Sequence, residues 1–233
     1  MRLKEAAPGY EVIEEVAKNI DCIVEVEKFN PYHGPDGRFS SSSGLGGVSV
    51  AVGVGGGTAT GSKRTAVAGT LRDVEKANKD LDHEVATIVD PNTGKVIFAK
   101  EGGAAGVSFN SSESKEIARK VLTHNHPDEV IFSPSDVAMA YHVSTIRATT
   151  RSGKVFDLSG LNTPDAVRGY NEHYMSAREK SLKRLGVDPM TLDRNLTPAQ
   201  RKSSFAEITE SCNKWLSDNA AKYGYQYSVG RIE

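Results

Sequence analysis

Hydrophobic and polar positions follow two periods along this chain, and the changes of period mark the elements. Residues 10–28, YEVIEEVAKNIDCIVEVEK, predict a short amphipathic helix and then a strand, with Ile23, Val24 and Val26 carrying the β-branched signal. The pattern then lapses. FNPYHGPDGRFSSSSG contains Pro31, Pro35, a DG pair and four serines, and residues 44–61 hold eight glycines. Residues 29–69 are therefore expected to form a flexible linker. From Thr70 the periodicity returns. TLRDVEKANKDLDHE predicts a helix with Leu71, Val74 and Leu81 roughly on one face. VATIVD and KVIFAKEG predict two strands joined by a PNTG turn, since proline and glycine suit a turn's dihedral angles. SESKEIARK reads as a helix opened by a serine cap. VLTHNHP starts as a buried strand and stops at its proline, and SPSDVAMAYHV carries a serine or aspartate cap before helical spacing. TIRATTRSGKVFDLSG reads as two strands around an SG turn, and two long helices follow over about 164–186 and 198–223.

The order strand, strand, helix, strand, helix, strand, strand predicts an α+β fold or an α/β sandwich. Four segments result: an extension over 1–28, a linker over 29–69, a compact domain over 70–160 and a helical C-terminal region over 161–233. In that last region Tyr170, Tyr174, Leu182, Leu185, Phe205, Ile208, Cys212, Trp215 and Leu216 have the spacing of core-facing positions.

Composition narrows the classes. The chain has 233 residues, 38% hydrophobic and 25% charged, enough to bury a core in one ordinary domain with appendages or in two small ones. Its 29 basic and 30 acidic side chains give a net charge of −1, without the footprint of a strongly basic nucleic-acid binder. No apolar run approaches the roughly 20 residues that span a bilayer. The N-terminus is too charged for a secretory leader. Two cysteines, Cys22 and Cys212, suit a reducing compartment and exclude a four-thiolate zinc site. A cytoplasmic location without membrane contact is expected.

The candidate chemistry lies in VLTHNHPDEVIFSPSD. His124 and His126 are two apart, so on a strand they project from one face and can reach one ion. Pro127 ends the strand at an edge where binding loops sit. Asp136, near the first turn of the next helix, offers a third ligand. Two histidines and a carboxylate leave one tetrahedral position open, the arrangement of catalytic zinc. A zinc-bound water loses its proton near pH 7. The general base would be Glu84, at the start of EVATIVD and forty residues before His124, provided that strand lies beside VLTHNH. Ser133 would donate to a developing oxyanion. The competing reading is a turn whose histidines satisfy local hydrogen bonds. Glu113 and Glu116 fall in a polar helix and read as solvated. His33 reads as a loop residue, and His142 and His173 fall in helices without an assigned role.

The pattern E…HNHP…FSPSD resembles the JAMM/JAB metalloprotease signature over about residues 84–158, and the HNHP wording also looks like its RadC branch. Glu84, His124, His126, Ser133 and Asp136 each match one element. The resemblance implies a JAB/MPN-like mixed sheet flanked by helices. It implies one Zn2+ per chain on His124, His126 and Asp136, with Glu84 and Ser133 catalytic. The activity implied is hydrolysis of peptide or isopeptide bonds in a peptide or protein substrate. One departure bears on the substrate groove: five residues separate Pro127 from Ser133, one fewer than in the family pattern. FNPYHGPDGRFSSSSG looks like a linker of phage head-morphogenesis proteins. It implies a phage or prophage setting, a phage structural protein as partner, and a location in the bacterial cytoplasm or the phage particle. Nucleic acid is not expected as a partner on charge, although the RadC likeness leaves a nucleic-acid-associated role open.

Two rival functions follow from other features. GGTATGSK, residues 56–63, nearly copies a phosphate-binding P-loop, but Ser62 separates Gly61 from Lys63 and misplaces the ammonium. The linker reading is preferred there. The other rival is a catalytically degenerate, JAB-like interaction module. Metal content separates it from the enzyme.

Overall fold

A computed structural model describes residues 61–232, apart from 104 and 105. The expected N-terminal helix and strand, the linker up to residue 60, Cys22 and His33 lie outside the described residues. In chain order the elements are α1 (Gly61–Asn78), β1 (Val85–Val89), β2 (Val96–Glu101), α2 (Ser111–Ile117), β3 (Val121–His126), α3 (Pro134–Ala140), β4 (Thr145–Thr150), β5 (Lys154–Ser159), α4 (Pro164–Arg184), α5 (Pro198–Tyr223) and β6 (Gln226–Arg231).

The six strands form one mixed sheet in the order β2-β1-β3-β4-β5-β6. Only β3 and β4 run parallel, and α3 makes the crossover between them. The other neighbours pair antiparallel. This is an α+β fold. Strand alternation divides its buried residues between two faces. Leu122, Ile146, Phe156 and Leu158 pack with Ile117, Val137, Tyr170, Ile208 and Leu216 of helices α2 to α5. On the other face Val89 and Val121 pack with Leu71 of α1, flanked by Val67 and Val96.

Three sequence expectations are corrected. Residues 61–69, expected in the linker, form the first half of α1. The glycine and serine content around them masks an apolar stripe, and packing of Val67 and Leu71 on the sheet decides the conformation. The described end of the P-loop-like segment, residues 61–63, belongs to this helix, and residues 56–60 lie outside the described residues. The cap of α2 is Asn110 rather than a serine: its side chain accepts from Ser112 and Glu113, and Glu113 returns a bond to the Asn110 N–H.

The third correction concerns the C-terminus. The two expected C-terminal helices are present, and a strand that was not expected follows them. Helices α4 and α5 share the main core with the sheet. Gly224 then takes a left-handed conformation, φ 75°, and ends α5. The chain reverses into β6, which pairs with β5 from Ser159↔Gln226 to Lys154↔Arg231. No described helix is long and apolar enough to cross a membrane.

Candidate metal centre

The site forms where β3 ends and α3 begins. β3 pairs with β1 on one side and β4 on the other, so its position is fixed by two ladders. His124 and His126 project to the face covered by α2 to α5, and both are at least 95% buried, with relative exposures of 5% and 3%. Asp136 stands in the first turn of α3. Its position follows from a local folding rule: Ser133 caps the helix, its Oγ accepting the Asp136 N–H at 3.2 Å, while Asp136 Oδ2 accepts the Ser133 N–H at 2.7 Å. The S-x-x-D spacing is thus a capping box that also aims a carboxylate at the end of β3.

Three ligand-type side chains converge there. His124 Nε2 and His126 Nε2 are 2.8 Å apart. Asp136 Oδ1 lies 3.3 Å from the first, and Oδ2 lies 3.5 Å from the second. A tetrahedral zinc with bonds of about 2.05 Å separates its ligand atoms by roughly 3.3 Å. Each His–Asp spacing is close to that edge, the two being measured to different oxygens of Asp136. The His–His spacing is shorter, the length of an N–H···N hydrogen bond.

The imidazoles are oriented by what lies behind them. His126 Nδ1 is 2.7 Å from the Val130 carbonyl, which can only accept, so Nδ1 carries a proton. In the neutral ring the lone pair then sits on Nε2, facing Asp136, as a metal ligand requires. His124 Nδ1 is buried without a hydrogen-bond partner. Burial alone would lower the pKa of His126, but hydrogen bonding and proximity to Asp136, with help from Glu84 and the Val130 carbonyl, outweigh it and raise the pKa to about 9. For Asp136 burial pushes upward, yet the two histidines hold its carboxyl well below the usual carboxylate range.

The loop between β3 and α3 is pinned at both ends. Glu129 adopts φ 57°, a left-handed conformation that costs a non-glycine residue about 1 kcal/mol. Its carboxylate offsets this by accepting from Ser152 N and Oγ at 2.5 and 2.7 Å. Ile131 and Phe132 are fully buried. The Ile131 N–H donates to Thr209 Oγ1 on α5 at 3.1 Å, and Tyr170 of α4 donates its hydroxyl to the Phe132 carbonyl at 2.5 Å. The C-terminal helices therefore hold the loop that delivers Ser133 and Asp136.

Glu84 immediately precedes β1. The antiparallel register Ala86↔His124 brings it to the same end of the sheet as the histidines. Its N–H donates to the Gly103 carbonyl at 3.1 Å, and its carbonyl accepts from Gly102 at 2.8 Å. Burial raises the pKa of its carboxyl. The charges of His126 and His124 partly offset that rise, and Asp136 and Asp128 reinforce it. Glu84 thus lies within electrostatic range of the cluster without belonging to the three converging groups. His173 bonds Ser211 across α4 and α5, and His142 lies in the turn after α3, so neither contributes. Glu113 is engaged in the α2 cap and with Lys100.

Sequence reasoning missed Val130, Glu129, Tyr170 and Thr209, since three-dimensional proximity and not spacing brings them to the loop. It also passed over Asn125, although the alternation that puts the histidines on one face puts the residue between them on the other. No family model matches this sequence, and no curated protein or solved structure matches it.

Proposed function

We propose that this chain is a zinc-dependent hydrolase of the JAMM/JAB type that cleaves peptide or isopeptide bonds. The observation that carries the reading is the convergence of His124 Nε2, His126 Nε2 and the Asp136 carboxylate, with the Glu84 carboxyl within electrostatic range and outside the ligand set. The donor set fits zinc in kind and in the tautomer that Val130 imposes on His126, and each histidine's spacing to Asp136 is near a tetrahedral edge. Held by His124, His126 and Asp136, zinc would supply Lewis acidity. Glu84 would accept a proton at its carboxylate and return it to the leaving amine. Its raised pKa moves it toward the neutral range in which a general base works best. Ser133 uses its oxygen to cap α3, which leaves its hydroxyl proton to donate to the substrate oxyanion.

The rival reading, a JAB-like module without catalysis, draws on the same cluster. A protonated His126 and an ionised Asp136 form an ion pair that is satisfied without metal. One experiment separates the two. Wild type and Glu84→Gln are analysed for zinc and screened on peptide and isopeptide substrates. The hydrolase reading expects zinc in both and a loss of about a hundredfold or more in kcat for the variant. Zinc loss in Glu84→Gln would make that residue a ligand, and full activity would remove it from the mechanism.

A further inference from the structure

Asn125 lies between the two histidines, points away from them and is 1% exposed. The β1/β3 ladder runs from Val89↔Val121 to Ala86↔His124 and stops. One step further, the side chain of Asn125 replaces the main chain. Its Oδ1 accepts the Val85 N–H at 2.7 Å, and its Nδ2 donates to the His83 carbonyl at 2.8 Å. The opposite amide orientation would set a donor against an N–H and an acceptor against a carbonyl, so this network fixes which atom is which.

These two bonds bracket one residue, Glu84. The His83 carbonyl and the Val85 N–H belong to the peptide groups on either side of its Cα. The N–H and carbonyl of Glu84 itself are held by Gly103 and Gly102. All four peptide atoms around that Cα are therefore tied, two of them by a single buried amide. Fixing φ and ψ fixes the direction of the Cα–Cβ bond, and with it where the carboxylate can reach. A proton acceptor needs this, since displacement by an ångström removes it from hydrogen-bond reach.

We propose that Asn125 is a positioning residue that clamps the backbone on both sides of Glu84 and so holds its carboxylate beside the His124, His126 and Asp136 cluster. The inference rests on the hydrolase reading for its consequence in catalysis, but the clamp is measurable without it. Asn125 touches neither the donor atoms nor a reacting group. Its place between the histidines lets one strand carry two ligands on one face and the support for the base on the other.

The test uses the full chain and the variants Asn125→Ala and Asn125→Asp, with and without zinc. In metal-free protein, amide exchange at Val85 should accelerate about tenfold in Asn125→Ala, the equivalent of one hydrogen bond. Asn125→Asp keeps an acceptor for Val85 and loses the donor to His83. It should leave Val85 protected and serves as the reference if the alanine variant does not fold. Both variants should bind as much zinc as wild type. On a substrate cleaved by the wild type, Asn125→Ala should lower kcat about ten- to a hundredfold with KM unchanged. In a Glu84→Gln background the same substitution should cost nothing more, because it acts through Glu84. A purely structural role would add its loss in both backgrounds, and that additivity would overturn the proposal. Unchanged exchange at Val85 in Asn125→Ala would also overturn it, as would loss of zinc, which would tie Asn125 to the ligands instead. If the wild type cleaves nothing while Val85 exchange rises as stated, the hydrolase reading fails and the clamp stands.

Discussion

Two polar clusters lie on opposite faces of the sheet around β3 and β4, and they are built on opposite principles. On the α1 face, Arg147 sits between two carboxylates. Its Nε and Nη2 bind Glu75 at 2.6 and 3.1 Å in a two-pronged pair, its Nη1 binds Asp157, and Thr123 donates to Glu75 at 3.0 Å. Donors meet acceptors throughout, and the cluster is complete. On the other face, His124, His126 and Asp136 aim their donor atoms at one another around a common centre. A groove of about 630 Å³ runs along the Arg147 face, lined by Leu71, Arg72, Asp157 and Arg231 among others, yet Arg147, Glu75 and Asp157 are already bound to one another. Burial and charge therefore do not mark a site here. Convergence of like ligand atoms does.

The largest effect should come from breaking the convergent cluster. His126→Ala or Asp136→Ala should cut zinc to about a tenth of an equivalent per chain or less and abolish the thermal shift that zinc produces, since metal binding stabilises only the folded state. Elemental analysis and thermal scans check this. The paired cluster should respond in the other currency. Arg147→Ala leaves Glu75 buried, at 3% exposure, without its counter-charge. Denaturant titration should show a loss of about 3–5 kcal/mol with zinc content unchanged.

Acidity sharpens the contrast. In metal-free protein the pKa of His126 is raised to about 9, so its pairing with Asp136 contributes stability that is fully present below the unfolded value, about 6.5, and is lost as pH rises toward 9. Asp136 is depressed, so its contribution is present above about 3.9 and is lost as pH falls through its lowered value. Zinc needs the His126 Nε2 lone pair, so the thermal shift on adding zinc should grow from pH 6 to pH 9 while the metal-free protein loses stability over the same range. Thermal scans with zinc and with a chelator read both trends. Zinc-induced shifts that shrink over that range would contradict the assignment of His126 as a ligand.

Much of this was legible because chemistry and local folding coincide in short motifs. H-x-H works through strand alternation, and S-x-x-D works through a capping box, so spacing alone located four of the five candidate residues. The element order was legible for the same reason, with helices α4 and α5 found within two residues of their ends. The parts that failed depend on tertiary packing. QYSVGR is short and mostly exposed, and only its pairing with β5 makes it a strand. GSKRTAVAG reads as linker until Val67 finds the sheet. The spacing of the two C-terminal helices marked core-facing positions, but nothing in it says that Tyr170 and Thr209 reach the Ile131–Phe132 backbone.

The smallest predicted effect tests that last link. Tyr170→Phe keeps the packing of the ring and deletes the bond to the Phe132 carbonyl, which stays buried. The cost should be about 1–2 kcal/mol in denaturant titrations. Because the loop it supports delivers Asp136, zinc affinity should fall by up to about tenfold, the range of an indirect support for a ligand. A substitution in the α1-face cluster should leave that affinity unchanged.

The most direct test of the central claim is the zinc content of the full-length chain after exhaustive dialysis, measured side by side for wild type, His126→Ala and Arg147→Ala. The account predicts about one zinc per chain in wild type and Arg147→Ala and almost none in His126→Ala. Wild-type protein that takes up no zinc from a zinc-containing buffer, or His126→Ala that keeps a full equivalent, would contradict it.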